Sequence, residues 1–98
     1  MARRPIQLHP QAVTEAQAAY RWYRDRNPIA AEAFLAELDR ATEQVSENPL
    51  RWPVYRQGTR RFLLRRFPFA VVYREVGEVV QIVAVAHGRR KPGYWQGR

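Results

Sequence analysis

The spacing of apolar positions changes period along this chain, and the change divides it into two kinds of element. Ile6-Gln7-Leu8-His9 alternates and predicts one short edge strand. Between Gln11 and Arg26 the apolar side chains are Val13, Ala16, Ala19, Tyr20 and Tyr23. Steps of three and four mark one face of a helix. Pro10 suits its first turn, where a missing N–H costs nothing. Arg24 and Arg26 suit its last turn, where cations complement the helix dipole. Trp22 falls off the apolar stripe. Asn27-Pro28 then ends one helix and starts another, because Asn caps well and Pro fits the first helical position. The second stripe is Phe34, Leu38, Ala41 and Val45, with Ala31 and Leu35 beside it. It runs to about Glu47, and Ser46-Glu47-Asn48-Pro49 stops it. Glu32, Glu37, Asp39, Arg40 and Glu43 form its expected solvated face, and neither Glu37 nor Glu43 reads as catalytic. So short a junction predicts an antiparallel helical hairpin.

Period two takes over in the second half. Leu50 to Tyr55 is aromatic and carries Pro53, which predicts a structured connection, and Gln57-Gly58-Thr59 reads as a turn. A strand is expected from Arg60 to Arg66, with Phe62 and Leu64 on one face and Leu63 and Phe67 on the other. Phe67-Pro68 turns into a strand from Phe69 to Glu75, in which Phe69, Val71 and Tyr73 share a face. A tight turn at Val76-Gly77-Glu78 leads to the last strand, Val79 to His87. Strict alternation there puts Val80, Ile82, Ala84 and Ala86 on one side, and Val79, Gln81, Val83, Val85 and His87 on the other. Both sides are largely apolar, so this strand is expected to be central, with helices on one face and other cover on the opposite one. The expected fold is α+β: an N-terminal strand, then an antiparallel two-helix hairpin packed on a small, mainly antiparallel sheet with a three-stranded C-terminal meander. The 98 residues are expected to form one domain, residues 1–98.

Charge sharpens this picture. The net charge is +8, but residues 1–47 hold six arginines against seven acids, whereas residues 48–98 hold ten arginines and Lys91 against only Glu75 and Glu78. The basic half is the sheet and its tail, which suits a polyanionic partner, nucleic acid or an acidic protein segment, and equally suits a solvated basic face. Cysteine is absent, which fits a reducing compartment. Met1-Ala2-Arg3-Arg4-Pro5 has no apolar run behind it, so no signal peptide is expected. No stretch approaches the roughly 20 apolar residues of a membrane span. A cytoplasmic protein with no membrane partner is the expectation. His9 and His87 are the only histidines, no acidic cluster has ligand spacing, and no glycine-rich phosphate loop is present. No metal site or other cofactor is expected.

The most reactive set of residues lies where the last strand ends, in Val85-Ala86-His87-Gly88-Arg89-Arg90-Lys91-Pro92-Gly93-Tyr94-Trp95. Together with Asn48-Pro49 and Arg65-Arg66-Phe67-Pro68-Phe69-Ala70-Val71-Val72-Tyr73, this exit resembles toxins of the RelE/ParE superfamily, from bacterial type II toxin–antitoxin modules. The order of elements is similar over nearly the whole chain. The resemblance implies a toxin with that fold, neutralised by a cognate antitoxin, with no cofactor. It also implies one of two targets. ParE-like members poison DNA gyrase, and the Phe67-Pro68-Phe69 turn and the exit look closer to that branch. RelE-like members are mRNA interferases acting on the ribosome. A toxin that has drifted to a bare antitoxin-binding module is the third possibility.

A ribonuclease needs a base for the 2′-hydroxyl, cations for the phosphate and an acid for the leaving oxygen. His87, Arg65, Arg89 and Tyr94 are the candidates for that work. Arg60, Arg61, Arg90, Lys91, Trp95 and Arg98 are candidates for target or phosphate contact. Pro92-Gly93 equally allows Tyr94 and Trp95 to fold back over the sheet. A helical hairpin on a small sheet leaves a groove and a strand edge usable by a peptide, with Trp22, Leu50 and Trp52 as candidate antitoxin anchors.

Overall fold

The computed structural model describes residues 3–98. Met1 and Ala2, at the head of the stretch from which no signal peptide was expected, lie outside them. Strand β1 (Ile6–Leu8) leads into helix α1 (Pro10–Arg26) and helix α2 (Pro28–Glu47). Strands β2 (Arg60–Leu63), β3 (Phe69–Val76) and β4 (Val79–His87) follow. They form one sheet in the order β1-β4-β3-β2. β1 runs parallel to β4, and the other neighbours are antiparallel. This is the expected α+β architecture.

Local chemistry explains the helix starts. The His9 side chain accepts the Gln11 N–H at the head of α1, with Pro10 next in line. Asn27 Oδ1 accepts from Ile29 and Ala30 N–H at the head of α2, so one asparagine separates the two helices and caps the second. The β3–β4 hairpin closes through Gly77-Glu78, where Gly77 takes φ +62°, a left-handed conformation that any other side chain resists.

The helices cover one face of the sheet. Phe34, Ala41 and Val45 of α2 and Ala12 and Ala19 of α1 pack on Val71, Tyr73, Val80, Ile82 and Val85. The opposite face is covered by the chain's own end. Trp95 lies on Val72, Val83, Ala84 and Ala86, with Tyr55 and Tyr94 beside it.

Four details depart from the sequence pattern. First, β2 ends at Leu63, not Arg66. Leu64 N–H donates back to the Phe69 carbonyl, and the N–H groups of Arg65 and Arg66 turn to the Glu37 carboxylate instead of continuing a ladder. Second, Phe67 joins the helix-side core, packing against Tyr23 at 5.1 Å and Phe34 at 5.5 Å. Third, β4 does not alternate strictly. Val72 pairs with Ala84 but Tyr73 with Ile82, so Val83 is an extra residue. This bulge exchanges the faces beyond it: Val85 joins Val80 and Ile82 under the helices, while Ala84 and Ala86 turn to Trp95. Fourth, Glu37 is not on a solvated face. It is 6% exposed, and its carboxylate also receives Arg66 Nε at 3.3 Å. Burial pushes its carboxyl upward, but the N–H groups of Arg66 and Arg65 and the Arg66 guanidinium outweigh burial and hold it below the usual range.

Candidate functional site

The end of β4 is held from both sides. β1 is short: its last register partner is Ile82, and His9 N–H closes onto the Ile82 carbonyl. Beyond that point no strand of the described residues lies beside this edge of β4, and two side chains stand in for one. Glu15 Oε1, from α1, accepts the Val85 N–H at 3.0 Å. Arg98 Nη1, from the chain's end, donates to the Val83 carbonyl at 3.0 Å. The two stand-ins are themselves paired, with Arg98 Nη1 and Nη2 each 3.0 Å from a Glu15 oxygen. Tyr94 donates its hydroxyl to Glu15 Oε2 at 2.7 Å. Burial, and then the Glu15 hydrogen bond and charge, push the Tyr94 phenol far above its ordinary range.

Glu15 is the functional-site residue that sequence reasoning missed. Its position carried a signal: it stands three residues after Ala12 and four before Ala19, both buried, so a charge sits within the apolar stripe. Glu37 has the same placement between Phe34 and Ala41. Each helix thus lends one glutamate to unpaired N–H groups of the sheet region.

Two cavities adjoin here and share Pro68, Phe69, His87, Arg90 and Tyr94 as walls. The larger, about 450 Å³, lies on the helix side, walled also by Glu15, Trp22 and Tyr23. The smaller, about 290 Å³, lies on the tail side, walled also by Arg61, Leu63 and Trp95.

Of the four residues considered for catalysis, His87 and Tyr94 meet at these cavities, and Arg89 and Arg65 do not line them. The His87 ring packs edge-on against Phe69 at 5.0 Å, and its Nδ1 accepts the Arg89 N–H at 3.0 Å. In the neutral ring this hydrogen bond favours the proton on Nε2. The Tyr94 hydroxyl proton is committed to Glu15. Arg65 is not on a strand, as first expected, but in the β2–β3 connection.

The residues considered for target contact divide in two. Arg90 and Lys91 are exposed, and Arg61 is partly exposed. Arg90 lies over the Tyr94 ring at 3.9 Å and Arg61 over the Tyr55 ring at 4.1 Å. The other three are engaged within the chain. Trp95 is only 4% exposed because it covers the sheet. Arg98 is held in its ion pair, and Arg60 Nη1 donates to the Trp52 carbonyl at 2.6 Å and the Leu50 carbonyl at 3.3 Å. Among the candidate anchors, Trp22 and Leu50 are exposed, while Trp52 is half-buried against Phe62 at 4.9 Å. Among the described residues no group of three or more His, Asp or Glu is placed to hold a metal ion, and no helix is long and apolar enough to cross a membrane.

The helical hairpin on a four-stranded mixed sheet is the fold of the RelE/ParE toxin superfamily, to which the chain's similarities assign it. The chain belongs to one family within that superfamily: the sequence model described as "ParE toxin of type II toxin-antitoxin system, parDE" matches residues 6–92. Among solved structures, the chain is similar to one from the chromosomal ParDE toxin–antitoxin system of P. aeruginosa, with TM-score 0.76 and 19% identity over 86% of this chain and 95% of that one. It is also similar to one from the RelBE2 toxin–antitoxin complex of Mycobacterium tuberculosis, with TM-score 0.58 and 22% identity over 88% of this chain and 99% of that one. At these identities the likeness is one of fold. No curated protein matches the chain significantly.

Proposed function

We propose that this toxin is a single domain that halts growth by binding DNA gyrase, without turnover, and that a cognate antitoxin neutralises it in the cytoplasm. The observation that carries the binding mechanism is the engagement of the candidate acid and base. His87 Nδ1 is occupied by Arg89 N–H, and the Tyr94 hydroxyl is committed to Glu15. A ribonuclease would need one of these groups free to accept a proton and another ready to give one. Membership of the ParE family supports the same branch. The similar P. aeruginosa chain comes from a ParDE toxin–antitoxin system, which supports an antitoxin as partner here.

The test is induced expression without antitoxin, followed by separate labelled-precursor pulses for DNA and protein synthesis. Gyrase inhibition predicts that DNA synthesis stops first, and that His87→Ala and Tyr94→Phe remain toxic. If protein synthesis stops first and both variants are harmless, the chain is a ribosome-dependent mRNA endonuclease. If soluble wild-type protein affects neither, it is an antitoxin-binding module.

A further inference from the structure

We propose that the smaller, tail-side cavity is a carboxylate-binding subsite for an acidic, apolar-flanked segment of the neutralising protein partner. The proposal rests on the reading that the toxin has such a partner, and it assigns one part of the contact. Arg61 and Arg90 stand in the walls of this cavity of about 290 Å³, and among the described residues no aspartate or glutamate lines it. Neither arginine has a carboxylate within ion-pair distance among the described residues. Both are nonetheless held in place, each guanidinium lying on a tyrosine ring. Two oriented cations without a counter-charge form an anion site with little side-chain freedom left to lose.

The rest of the wall selects among anions. Leu63, Leu64, Pro68, Ala70 and Pro92 give it an apolar lining suited to aliphatic side chains. Single-stranded nucleic acid is recognised largely by stacking bases on free aromatic faces. Here Tyr55 and Tyr94 each carry an arginine and each pack against Trp95, at 5.5 Å and 5.4 Å, while Phe67 and Phe69 of the same lining pack on Phe34 and the His87 ring packs on Phe69. A carboxylate flanked by aliphatic groups therefore fits better than a nucleotide. Trp95 adds a further feature: it lines the cavity, and its buried indole N–H has no acceptor among the described residues. A small outward shift of the tail would let an incoming carboxylate satisfy it, and a buried donor without a partner gains most from an acceptor.

The probe is an acetylated, amidated Leu-Glu-Leu-Glu-Leu peptide added to the full chain labelled with ¹⁵N. Its Leu-Gln-Leu-Gln-Leu analogue and a short oligouridylate serve as comparisons, and Trp22→Phe and Trp52→Phe assign the Trp95 indole signal. The glutamyl peptide should move that signal downfield, and its binding should weaken between about 0.05 M and about 0.3 M NaCl. Arg61→Gln or Arg90→Gln should each weaken binding by about tenfold. Arg56→Gln, whose arginine lines neither cavity, should not. Unchanged amide dispersion establishes that each variant is folded. Equal binding of the glutaminyl analogue, unaltered binding by both arginine variants, binding of the oligouridylate alone, or binding of no probe would each overturn the proposal. None of these outcomes depends on gyrase inhibition, which a growth assay reads separately.

Discussion

Glu15→Ala should unfold this domain at a much lower temperature than wild type, although sequence reasoning did not single Glu15 out. Its carboxylate accepts from Val85 N–H, the Tyr94 hydroxyl and both terminal nitrogens of Arg98. The side chains of the ion pair are 12% and 15% exposed, so the pair is far from a surface bridge. Removing one partner of a buried pair costs about 3–5 kcal/mol, because the other charge remains desolvated. Some water will reach Arg98 once the carboxylate is gone, so the lower end, about 3 kcal/mol, is the expected loss. A domain of this size has about 5–15 kcal/mol in total and loses about 4–8 °C in Tm per kcal/mol, which gives a fall of at least about 12 °C. Urea and thermal unfolding followed by circular dichroism measure it. Gln17→Ala, at an exposed position on the same helix, is the control and should change stability by less than about 0.5 kcal/mol. Arg98→Ala should also destabilise, and the double variant should cost less than the two single losses added, by about 1.5 kcal/mol or more. A Glu15→Ala loss under about 1 kcal/mol, the value of an exposed bridge, would refute the claim that this pair closes the edge of β4.

Glu37 predicts a pH effect whose sign follows from its lowered carboxyl. Its contribution is full above the ordinary carboxylate value of 4.5 and is lost as pH falls through the lower folded value, so Glu37→Gln should be less stable near neutrality and show a shallower acid limb in urea titrations across pH. Tyr73 is fully buried and donates its hydroxyl to the Pro49 carbonyl at 2.6 Å; Tyr73→Phe should cost about 1 kcal/mol in urea unfolding. Burial pushes the same phenol up to about 12, so ultraviolet titration should find a tyrosine that ionises late in wild type and is missing in the variant. Trp95→Ala should cost about 3–5 kcal/mol, measured as a lower urea midpoint, by uncovering the sheet face that Val72, Val83, Ala84 and Ala86 present.

Much of this fold is legible in the chain because its signals are local. Pro10, Asn27-Pro28 and Asn48-Pro49 act on their own neighbours, and the helix boundaries fall where they place them. What was not legible depends on partners far away in sequence. The bulge at Val83 cannot be seen in an uninterrupted apolar run, since either parity buries similar side chains. The early end of β2 follows from Glu37, 28 residues before Arg65. Arg98 read as a candidate for target contact because its partner, Glu15, lies 83 residues away. Both glutamates did leave one trace, a charge inside an apolar stripe, which helix periodicity alone reads as noise. At the exit the residue types His87, Arg90 and Tyr94 were legible as a group. The proton commitments of His87 Nδ1 and the Tyr94 hydroxyl were not, because a backbone N–H and a helix side chain make them.

The most direct test of the central claim is a gyrase supercoiling assay with purified chain, run alongside His87→Ala. Inhibition by binding predicts that both proteins block supercoiling at similar concentrations, with ribosome-bound mRNA left intact. Unaffected gyrase, together with mRNA cleavage that His87→Ala abolishes, would contradict it.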